Sequence, residues 1–346
     1  MIGGAAPGWF VSILSQLLDR RDLTADQMRR LMIGLLGDEL TDTDLAAALV
    51  ALRMKGETAD ELAAAAGVMR QYCKPLVTGR DSVLDTCGTG GDGLATFNIS
   101  TATAFVVAAA GVPVVKHGNR AVSSTSGSAD VLANLGVTTS GNPADARRCL
   151  DAANMAFCLA PVYHPAAARA AVVRRRLGMR TLFNALGPLC NPADASFQLL
   201  GVGRQEWLDP MAGALARLGI QRAVLVHARD GLDEVSLTAP TDVRVVENHS
   251  VFVRVWTPDD FGLPFHSLDR LRAENVETSA AIIRDVLAGK TGPARDVVLA
   301  NAAAALWVAG RAERLTDGVT VAATAIDSGK ANAVLDALVQ NSRQDA

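Results

Sequence analysis

The sequence has few aromatic residues and almost no net charge. Aromatic side chains make up only 4% of the 346 residues, and 33 Lys and Arg against 36 Asp and Glu give a formal net charge of −3. A protein whose main partner is the nucleic-acid backbone draws its affinity from clustered Lys and Arg, so this balance argues against that class. With 49% hydrophobic residues, the chain can bury enough apolar surface to offset its ordering entropy, which excludes disorder.

The sequence also lacks long apolar runs and paired cysteines. The longest apolar stretches, such as 102–115, are shorter than the roughly 18 to 20 residues of a membrane-spanning helix. Residues 1–14 lack the basic segment and apolar run of a signal peptide, so we expect a cytoplasmic protein. The five cysteines form no CxxC motif, and we expect them to be buried, reduced thiols.

The first part of the chain, residues 10–72, has the periodicity of helices and no strand signal. Apolar residues recur at three- and four-residue spacing. Thr24, Thr41 or Thr43, and Thr58 each precede a helical run, as N-cap residues do. This pattern predicts a bundle of about four short helices. At roughly 150 residues per domain, the full length indicates about two domains.

Beyond Lys74-Pro75, β-like and helical segments alternate. The predicted parallel strands cover residues 82–86, 112–115, 156–159, 197–202 and 222–226. Strand alternating with helix implies crossover connections, so we predict an α/β fold: a mostly parallel sheet with flanking helices, plus the small all-helical domain. Two late β runs, 243–247 and 251–256, are separated by Asn248-His249-Ser250 and predict an antiparallel hairpin.

A glycine-rich loop follows the first predicted strand. Residues 88–93 read Gly-Thr-Gly-Gly-Asp-Gly, and Asn98, Ser100 and Thr101 then open a predicted helix. Glycine lets the backbone approach a bulky anion, and the free N–H groups of a helix start favour negative charge. The polar side chains can bind phosphate oxygens, and a hydroxyl can also coordinate a hard cation. The loop lacks the GK[ST] ending of a Walker loop, yet it predicts a phosphate site.

A second polar loop, residues 116–130, follows the next predicted strand. It opens with Lys116-His117-Gly118-Asn119-Arg120 and continues with five hydroxyl side chains. Ligands of open α/β sheets bind at the carboxyl ends of the strands, where this loop begins. Two neighbouring loops of this kind predict a substrate with more than one phosphate.

These loops and several later motifs resemble the anthranilate phosphoribosyltransferase family, of the nucleoside phosphorylase-like phosphoribosyltransferase group. The matching segments occur in the family's order along nearly the whole chain. They are 51–58 (ALRMKGET), 88–93 (GTGGDG), 98–101 (NIST), 116–120 (KHGNR), 123–130 (SSTSGSAD), 163–166 (YHPA), 177–184 (LGMRTLFN), 186–192 (LGPLCNP), 230–236 (DGLDEVS) and 301–303 (NAA). The resemblance implies transfer of the 5-phosphoribosyl group from phosphoribosyl pyrophosphate to anthranilate, with release of pyrophosphate, in L-tryptophan biosynthesis.

The resemblance also implies site residues, carried over by position. The phosphoribosyl pyrophosphate site would comprise Gly88, Gly91, Asp92, Thr96, Asn98, Ile99, Ser100, Thr101, Lys116, His117, Gly118, Asn119, Arg120, Ala121, Val122, Ser123, Ser124 and Ser128. Anthranilate would contact Gly88, Asn119, His164 and Arg174, with His117 and Pro188 nearby. Magnesium (Mg²⁺) would be held through Ser100, Asp233 and Glu234. No single acid or base residue is assigned.

The residue types themselves agree with parts of this assignment. Asp233-Glu234 is a carboxylate pair of the kind that holds Mg²⁺ together with substrate phosphates, although an isolated pair is more often an exposed acidic turn. Residues 174–176 are three consecutive arginines in a predicted helix, and at most one or two of them can face a cleft. Alignment selects Arg174, whose planar fork suits a carboxylate. His164 could instead be a packed or capping histidine.

The resemblance further implies a discontinuous domain boundary and a homodimer. We expect residues 1–73 with about 162–185 to form the small helical domain, which dimerises and faces the aromatic substrate. Residues 74–161 with 186–346 would form the large α/β domain, which binds phosphoribosyl pyrophosphate. The cleft would lie where the chain crosses between the two domains.

Two rival functions remain open at this point. A pyrimidine nucleoside phosphorylase would use inorganic phosphate, and the glycine loop with the carboxylate pair fits a diphosphate sugar better. A catalytically idle relative that binds nucleic acid should have a basic surface, and the net charge of −3 weighs against it.

Overall fold

Four helices begin the part of the chain that this computed structural model describes, which is residues 5–121 and 126–343. They are α1 (Gly8–Leu18), α2 (Ala25–Leu36), α3 (Asp42–Lys55) and α4 (Ala59–Gln71). Thr24, Thr41 and Thr58 begin α2, α3 and α4 with capping boxes, in which each hydroxyl accepts the backbone N–H three residues further on. The predicted helical start is confirmed, and the cap of α3 is Thr41 and not Thr43.

Strands and helices alternate through the rest of the chain. The elements are β1 (Leu84–Gly88), α5 (Ile99–Ala109), β2 (Val114–Gly118), α6 (Ser128–Asn134), α7 (Pro143–Ala153), β3 (Met155–Leu159), α8 (Ala160–Tyr163), α9 (Ala168–Leu177), α10 (Leu182–Leu189), β4 (Phe197–Gly201), α11 (Leu208–Leu218), β5 (Arg222–Ala228), β6 (Thr241–Glu247), β7 (Ser250–Trp256), α12 (Pro258–Phe261), α13 (Val276–Leu287), α14 (Pro293–Val308), α15 (Leu315–Asp327) and α16 (Lys330–Ser342). Short 3₁₀ helices cover Pro165–Ala167, Gln205–Trp207 and Leu268–Leu271. Within residues 5–121 and 126–343, no helix is long and apolar enough to cross a membrane.

The strands form one mixed sheet in the order β3-β2-β1-β4-β5-β6-β7. The pairs from β3 to β5 are parallel, and β6 and β7 extend the sheet with antiparallel pairs. Asn248 and His249 connect β6 to β7 with φ values of 50° and 60°, the left-handed backbone that a two-residue hairpin turn requires. The predicted fold class and the predicted hairpin are therefore confirmed. β1 lies at the centre of the parallel part, so its carboxyl end is flanked by the ends of β2 and β4.

Helices cover both faces of the sheet, as a mostly parallel sheet requires. The alternation of β5 shows this directly, because Val224 and Val226 face one hydrophobic core while Ala223 and Leu225 face the other. The first core contains residues of α5, α6, α7 and α13 to α16. The second contains residues of α1 to α4 and of α9 to α11.

The segment that contains α9 and α10 packs on the N-terminal helices. The Arg169 guanidinium donates to the Gly37 carbonyl at 3.0 Å and to the Asp42 carboxylate at 2.8 Å. Arg70 of α4 donates to the Leu189 carbonyl at 2.9 Å. The second core is thus built from two stretches that are far apart in sequence.

All five cysteines are free thiols, as predicted, but the prediction that they are buried holds for four of them and not for Cys73. Cys87, Cys149, Cys158 and Cys190 are buried, and Cys73 is half-buried. Burial raises the pKa of Cys73 and of Cys149 to about 11. These thiols therefore carry little thiolate near neutral pH.

Candidate active site

A cavity of about 640 Å³ lies at the carboxyl ends of β1 and β2, between the start of α5 and the segment from α8 to α10. Most of the residues predicted for the site line it: Gly88, Gly91, Asp92, Thr96, Asn98, Ile99, Ser100, Lys116, His117, Gly118, Asn119, Arg120, Ala121, Ser128, His164, Arg174, Pro188, Asp233 and Glu234. Val122, Ser123 and Ser124 lie outside the described residues. Loops that are widely separated in sequence therefore meet in one place.

The glycine loop owes its shape to left-handed backbone. Gly90, Gly91 and Gly93 have φ values of 63°, 73° and 76°, a region that side chains with a Cβ rarely adopt. The loop is attached to β4, because the Thr89 N–H donates to the Gly201 carbonyl at 2.9 Å. Its backbone can therefore approach a ligand without Cβ atoms in between, which is what the sequence pattern predicts.

Asn98 caps α5 next to this loop. Its side-chain oxygen accepts the Thr101 backbone N–H at 3.3 Å and the Thr101 hydroxyl, and its own N–H donates to Ser279 Oγ at 2.9 Å. Thr101 is fully buried and is not among the cavity-lining residues. Of the predicted polar residues here, Thr101 thus completes the cap, whereas Asn98 and Ser100 face the cavity.

Lys116 is buried beneath the loop and is held by the predicted Ser100 together with groups that had no predicted role. Its ammonium donates to Ser100 Oγ at 3.0 Å and to the Thr86 carbonyl. Burial lowers the pKa of Lys116, and the negative charge of Asp85 opposes that shift. Asn191 in turn donates to the Asp85 carboxylate at 2.8 Å. In the sequence, Asp85 directly follows two apolar strand residues, and Asn191 lies in the LGPLCNP motif. Their positions along the chain were therefore the sequence signal that could have identified these two residues.

Asp233 and Glu234 form an acidic corner facing Ser100. Burial and the nearby charge of Asp92 raise the pKa of Asp233 to about 7. Burial and Asp233 raise the pKa of Glu234 well above its usual value, and a hydrogen bond from the Ser100 N–H opposes that rise. Crowded carboxylates with few cationic partners suit a divalent cation.

The chemistry of these donors fits Mg²⁺. In the described part of the chain, no cluster of three or more His, Cys, Asp and Glu converges on one point. Two carboxylates and the Ser100 hydroxyl provide hard oxygen ligands, and Mg²⁺ commonly completes its shell with water and substrate phosphates. Such a site would be formed only partly by protein groups.

Gly201, which had no role in the sequence analysis, sets the position of this acidic corner. A Cβ on Gly201 would lie 1.7 Å from the Asp233 carbonyl oxygen. Only glycine at the end of β4 therefore lets the Asp233-Glu234 turn approach the sheet so closely. One glycine in a strand gives a weak signal for such an approach.

Two neutral histidines stand at the other end of the cavity. The ring centroids of His117 and His164 are 5.1 Å apart. Burial, with His164 nearby, lowers the pKa of His117 to about 3, and burial also lowers the pKa of His164. His117 Nδ1 lies 3.0 Å from the Gly187 carbonyl and His164 Nε2 lies 3.0 Å from the Cys190 carbonyl, so these nitrogens carry the protons. The other ring nitrogen of each histidine is buried without a partner among the described residues.

Arg174 lies at the same end of the cavity. Its Nη2 donates to Asn184 Oδ1 at 3.3 Å, and its guanidinium carbon lies 5.4 Å from the centroid of the Phe183 ring. Its Nε is buried, and no described group accepts a hydrogen bond from it. A buried cationic donor without an acceptor is costly, so the geometry calls for an anion here.

Arg180 also lines the cavity, although the sequence analysis gave it no role. It lies between α9 and α10 and reaches across to the glycine loop, where its Nη2 donates to the Gly90 carbonyl at 2.6 Å. The LGMRTLFN motif contains it, but the motif alone gave no indication of where its side chain points.

Comparison with known proteins identifies the family. Residues 11–73 match the glycosyl transferase family, helical bundle domain, and residues 80–332 match the glycosyl transferase family, a/b domain. The anthranilate phosphoribosyltransferase of Thioalkalivibrio sulfidiphilus is 48% identical over 92% of this chain and 95% of its own length. The chain belongs to the anthranilate phosphoribosyltransferase family.

Further anthranilate phosphoribosyltransferases agree in sequence and in fold. That of Moorella thermoacetica is 47% identical over 94% of this chain and 96% of its own length. The crystal structure from Thermus thermophilus has a TM-score of 0.89 at 40% identity and covers 96% of this chain and 99% of that one. The Saccharomyces cerevisiae structure in complex with PRPP and Mg has a TM-score of 0.88 at 28% identity, covering 96% and 97%. The family inferred from the sequence motifs is confirmed, and these relatives favour it over both rival functions.

Proposed function

We propose that the chain transfers the 5-phosphoribosyl group from phosphoribosyl pyrophosphate to anthranilate, giving N-(5-phosphoribosyl)anthranilate and pyrophosphate, in L-tryptophan biosynthesis. The observation that carries this is the composition of the single cavity described above. At one end it has a glycine loop, a helix start and two carboxylates, and at the other it has Arg174 with an unpaired buried N–H. Those two ends match a phosphorylated sugar and an aromatic carboxylate.

The glycine-loop end would hold phosphoribosyl pyrophosphate. Gly88 and Gly91 offer backbone without a Cβ, and Asn98 and Ser100 offer side-chain donors at the start of α5. Lys116 lies beneath them and donates a hydrogen bond to Ser100, which places its positive charge next to the diphosphate site. Ser100, Asp233 and Glu234 would hold Mg²⁺, which when bound neutralises negative charge on the diphosphate and on the departing pyrophosphate.

The Arg174 end would hold anthranilate. The planar guanidinium suits the carboxylate: the guanidinium lies 5.4 Å from the centroid of the buried Phe183 ring, and its Nε has no partner among the described residues. Asn119, His164 and Gly88 line the space between Arg174 and the sugar site. The unpartnered ring nitrogen of His164 is a neutral acceptor there, which suits the amino group of the substrate.

In the reaction, the bond between the ribose C1 carbon and the pyrophosphate oxygen breaks, pyrophosphate leaves with the bonding electrons, and the amine nitrogen forms a bond to C1 and loses its proton to water or to the released pyrophosphate. With pKa values depressed by burial, His117 and His164 are weak bases, and we assign neither as a dedicated general base. The attacking aromatic amine becomes acidic as it bonds to C1, so none is required. The described residues would act mainly by positioning the two substrates and by stabilising charge.

We also propose the discontinuous domains given above and a cytoplasmic homodimer formed through the helical domain. The packing of α9 and α10 on α2 to α4 supports assigning residues of about 162–185 to that domain. Val11, Leu18 and Met54 of α1 and α3 are 54%, 66% and 65% exposed, and a second copy could cover them. Sedimentation at micromolar concentration should give the mass of two chains, and a purely monomeric species would contradict the dimer.

The function is tested by following product fluorescence with anthranilate, phosphoribosyl pyrophosphate and Mg²⁺. We expect Mg²⁺-dependent turnover by the native chain and a reduction of about 100-fold or more in the double variant Asp233→Asn with Glu234→Gln. Glu274→Gln with Glu277→Gln removes the same charge from two exposed positions and should behave as the native chain does. No product from the native chain would refute the function, whereas full activity in the first double variant would refute only the metal role.

A further inference from the structure

We propose that Arg180 binds a phosphate group of phosphoribosyl pyrophosphate, as a contact that the helical segment between α9 and α10 supplies to the glycine loop. This inference rests on the proposed function and adds a residue to its diphosphate site. The loop and the start of α5 belong to the sheet side of the cavity, and Arg180 reaches the same loop from the opposite side.

The position of the guanidinium supports this role. Nη2 donates to the Gly90 carbonyl at 2.6 Å, and a Cβ on Gly91 would lie 1.1 Å from the same nitrogen. Arg180 therefore packs directly on the Cα atom of Gly91, in the space that the missing side chain leaves open. The glycine at this position makes room for a cation next to the loop, in addition to leaving the backbone accessible.

The second terminal nitrogen points to an anionic ligand. Nη1 is buried in the cavity wall and has no hydrogen-bond partner among the described residues. Burial lowers the pKa of Arg180, and the carboxylates of Asp233 and Asp92 oppose that shift. A guanidinium presents parallel N–H groups that match phosphate oxygens, so a phosphate on the loop would satisfy the free group.

Anthranilate is a less suitable partner for this nitrogen. Its carboxylate is accounted for by Arg174, and Arg174 lies with Phe183, Asn184 and the histidines at the other end of the cavity. Arg180 instead contacts Gly90 and Gly91. A loss of Arg180 should therefore weaken phosphoribosyl pyrophosphate binding selectively.

The test measures binding and turnover separately in the full chain. Arg180→Met should raise the KM for phosphoribosyl pyrophosphate, and its Kd by calorimetry with Mg²⁺ and no anthranilate, by roughly 10- to 100-fold. The KM for anthranilate should change less than about twofold. Arg180→Lys, which keeps the charge and loses the fork, should give an intermediate Kd. Arg175→Met removes an exposed arginine from α9 and is the matched control, with an unchanged Kd.

The outcomes separate this inference from the function on which it rests. If the native chain neither binds phosphoribosyl pyrophosphate nor turns over, both are overturned. If the native chain is active and folded Arg180→Met binds phosphoribosyl pyrophosphate normally, the inference alone is overturned. Arg180→Gln can still donate to Gly90 but has no charge. Native Kd in that variant would show that Arg180 only braces the loop, and would overturn the inference even if Arg180→Met misfolds.

Discussion

Replacing Gly201 by alanine should reduce activity, although Gly201 itself is assigned no contact with substrate or metal. The new Cβ would lie 1.7 Å from the carbonyl oxygen and 2.9 Å from the carbonyl carbon of Asp233, whereas ordinary contacts begin near 3.4 Å. Both contacts involve backbone, so no side-chain rotation can relieve them. The Asp233-Glu234 turn must therefore retreat from β4 by roughly 1.5 Å.

The size of the effect follows from that displacement. A misplacement of about 1 Å in a catalytic group costs on the order of 100-fold in rate, so we expect kcat to fall by about that factor or more. Overpacking of this kind also destabilises a protein by roughly 1 to 3 kcal/mol. Turnover at saturating substrates, titrated with Mg²⁺, should show a weaker apparent Mg²⁺ affinity as well as a lower kcat.

The matched control is Gly67→Ala in α4. A Cβ on Gly67 would meet nothing within 4 Å, and alanine favours a helix interior by up to about 1 kcal/mol. That variant should keep native turnover and an equal or higher Tm. Native kcat and native Mg²⁺ dependence in Gly201→Ala would refute the reasoning that the approach of Asp233 to Gly201 positions the acidic corner.

Further outcomes are expected for anthranilate binding, helix capping and thiol reactivity. Arg174→Met should raise the KM for anthranilate by roughly 10- to 100-fold while the KM for phosphoribosyl pyrophosphate changes little, and equal rises in steady-state assays would contradict its role. Thr41→Ala should lower the free energy of unfolding by about 1 kcal/mol in urea titration, whereas Thr43→Ala should not lower it by a comparable amount. At pH 7.5, iodoacetamide should label the native protein slowly and at Cys73 only. The labelling rate should rise about tenfold for each unit by which the pH is raised, because the thiolate fraction does so below the pKa. Rapid labelling of the buried Cys149 would contradict this expectation.

The sequence was sufficient to predict the elements of the fold but not the neighbours in its sheet. The run 82–86 corresponds to β1 at Leu84–Gly88, and 112–115 corresponds to β2 at Val114–Gly118. Local patterning determines such segments. The pairing of Leu84 with Phe197 depends on packing between distant parts of the chain, and periodicity carries no signal for it.

The candidate site shows the same division. Residue types and their order along the chain indicated a phosphate loop and a carboxylate pair, and the structure brings both to one cavity. Sequence could not indicate that Thr101 would bond to Asn98 and point away from the cavity. It also could not indicate that Arg180 would cross to Gly90, because a side chain's direction depends on the packing of α9 and α10.

The contacts of Arg169 have a consequence for synthesis on the ribosome. Arg169 donates to the Gly37 carbonyl, which lies 132 residues earlier in the chain. At roughly 5 to 20 residues per second, Gly37 would be added to the chain about 7 to 26 seconds before Arg169. The apolar surface of the first helices would be open to chaperones throughout that interval. Slow translation between α4 and α9 would lengthen the time for which this surface lacks the partner that covers it in the finished protein.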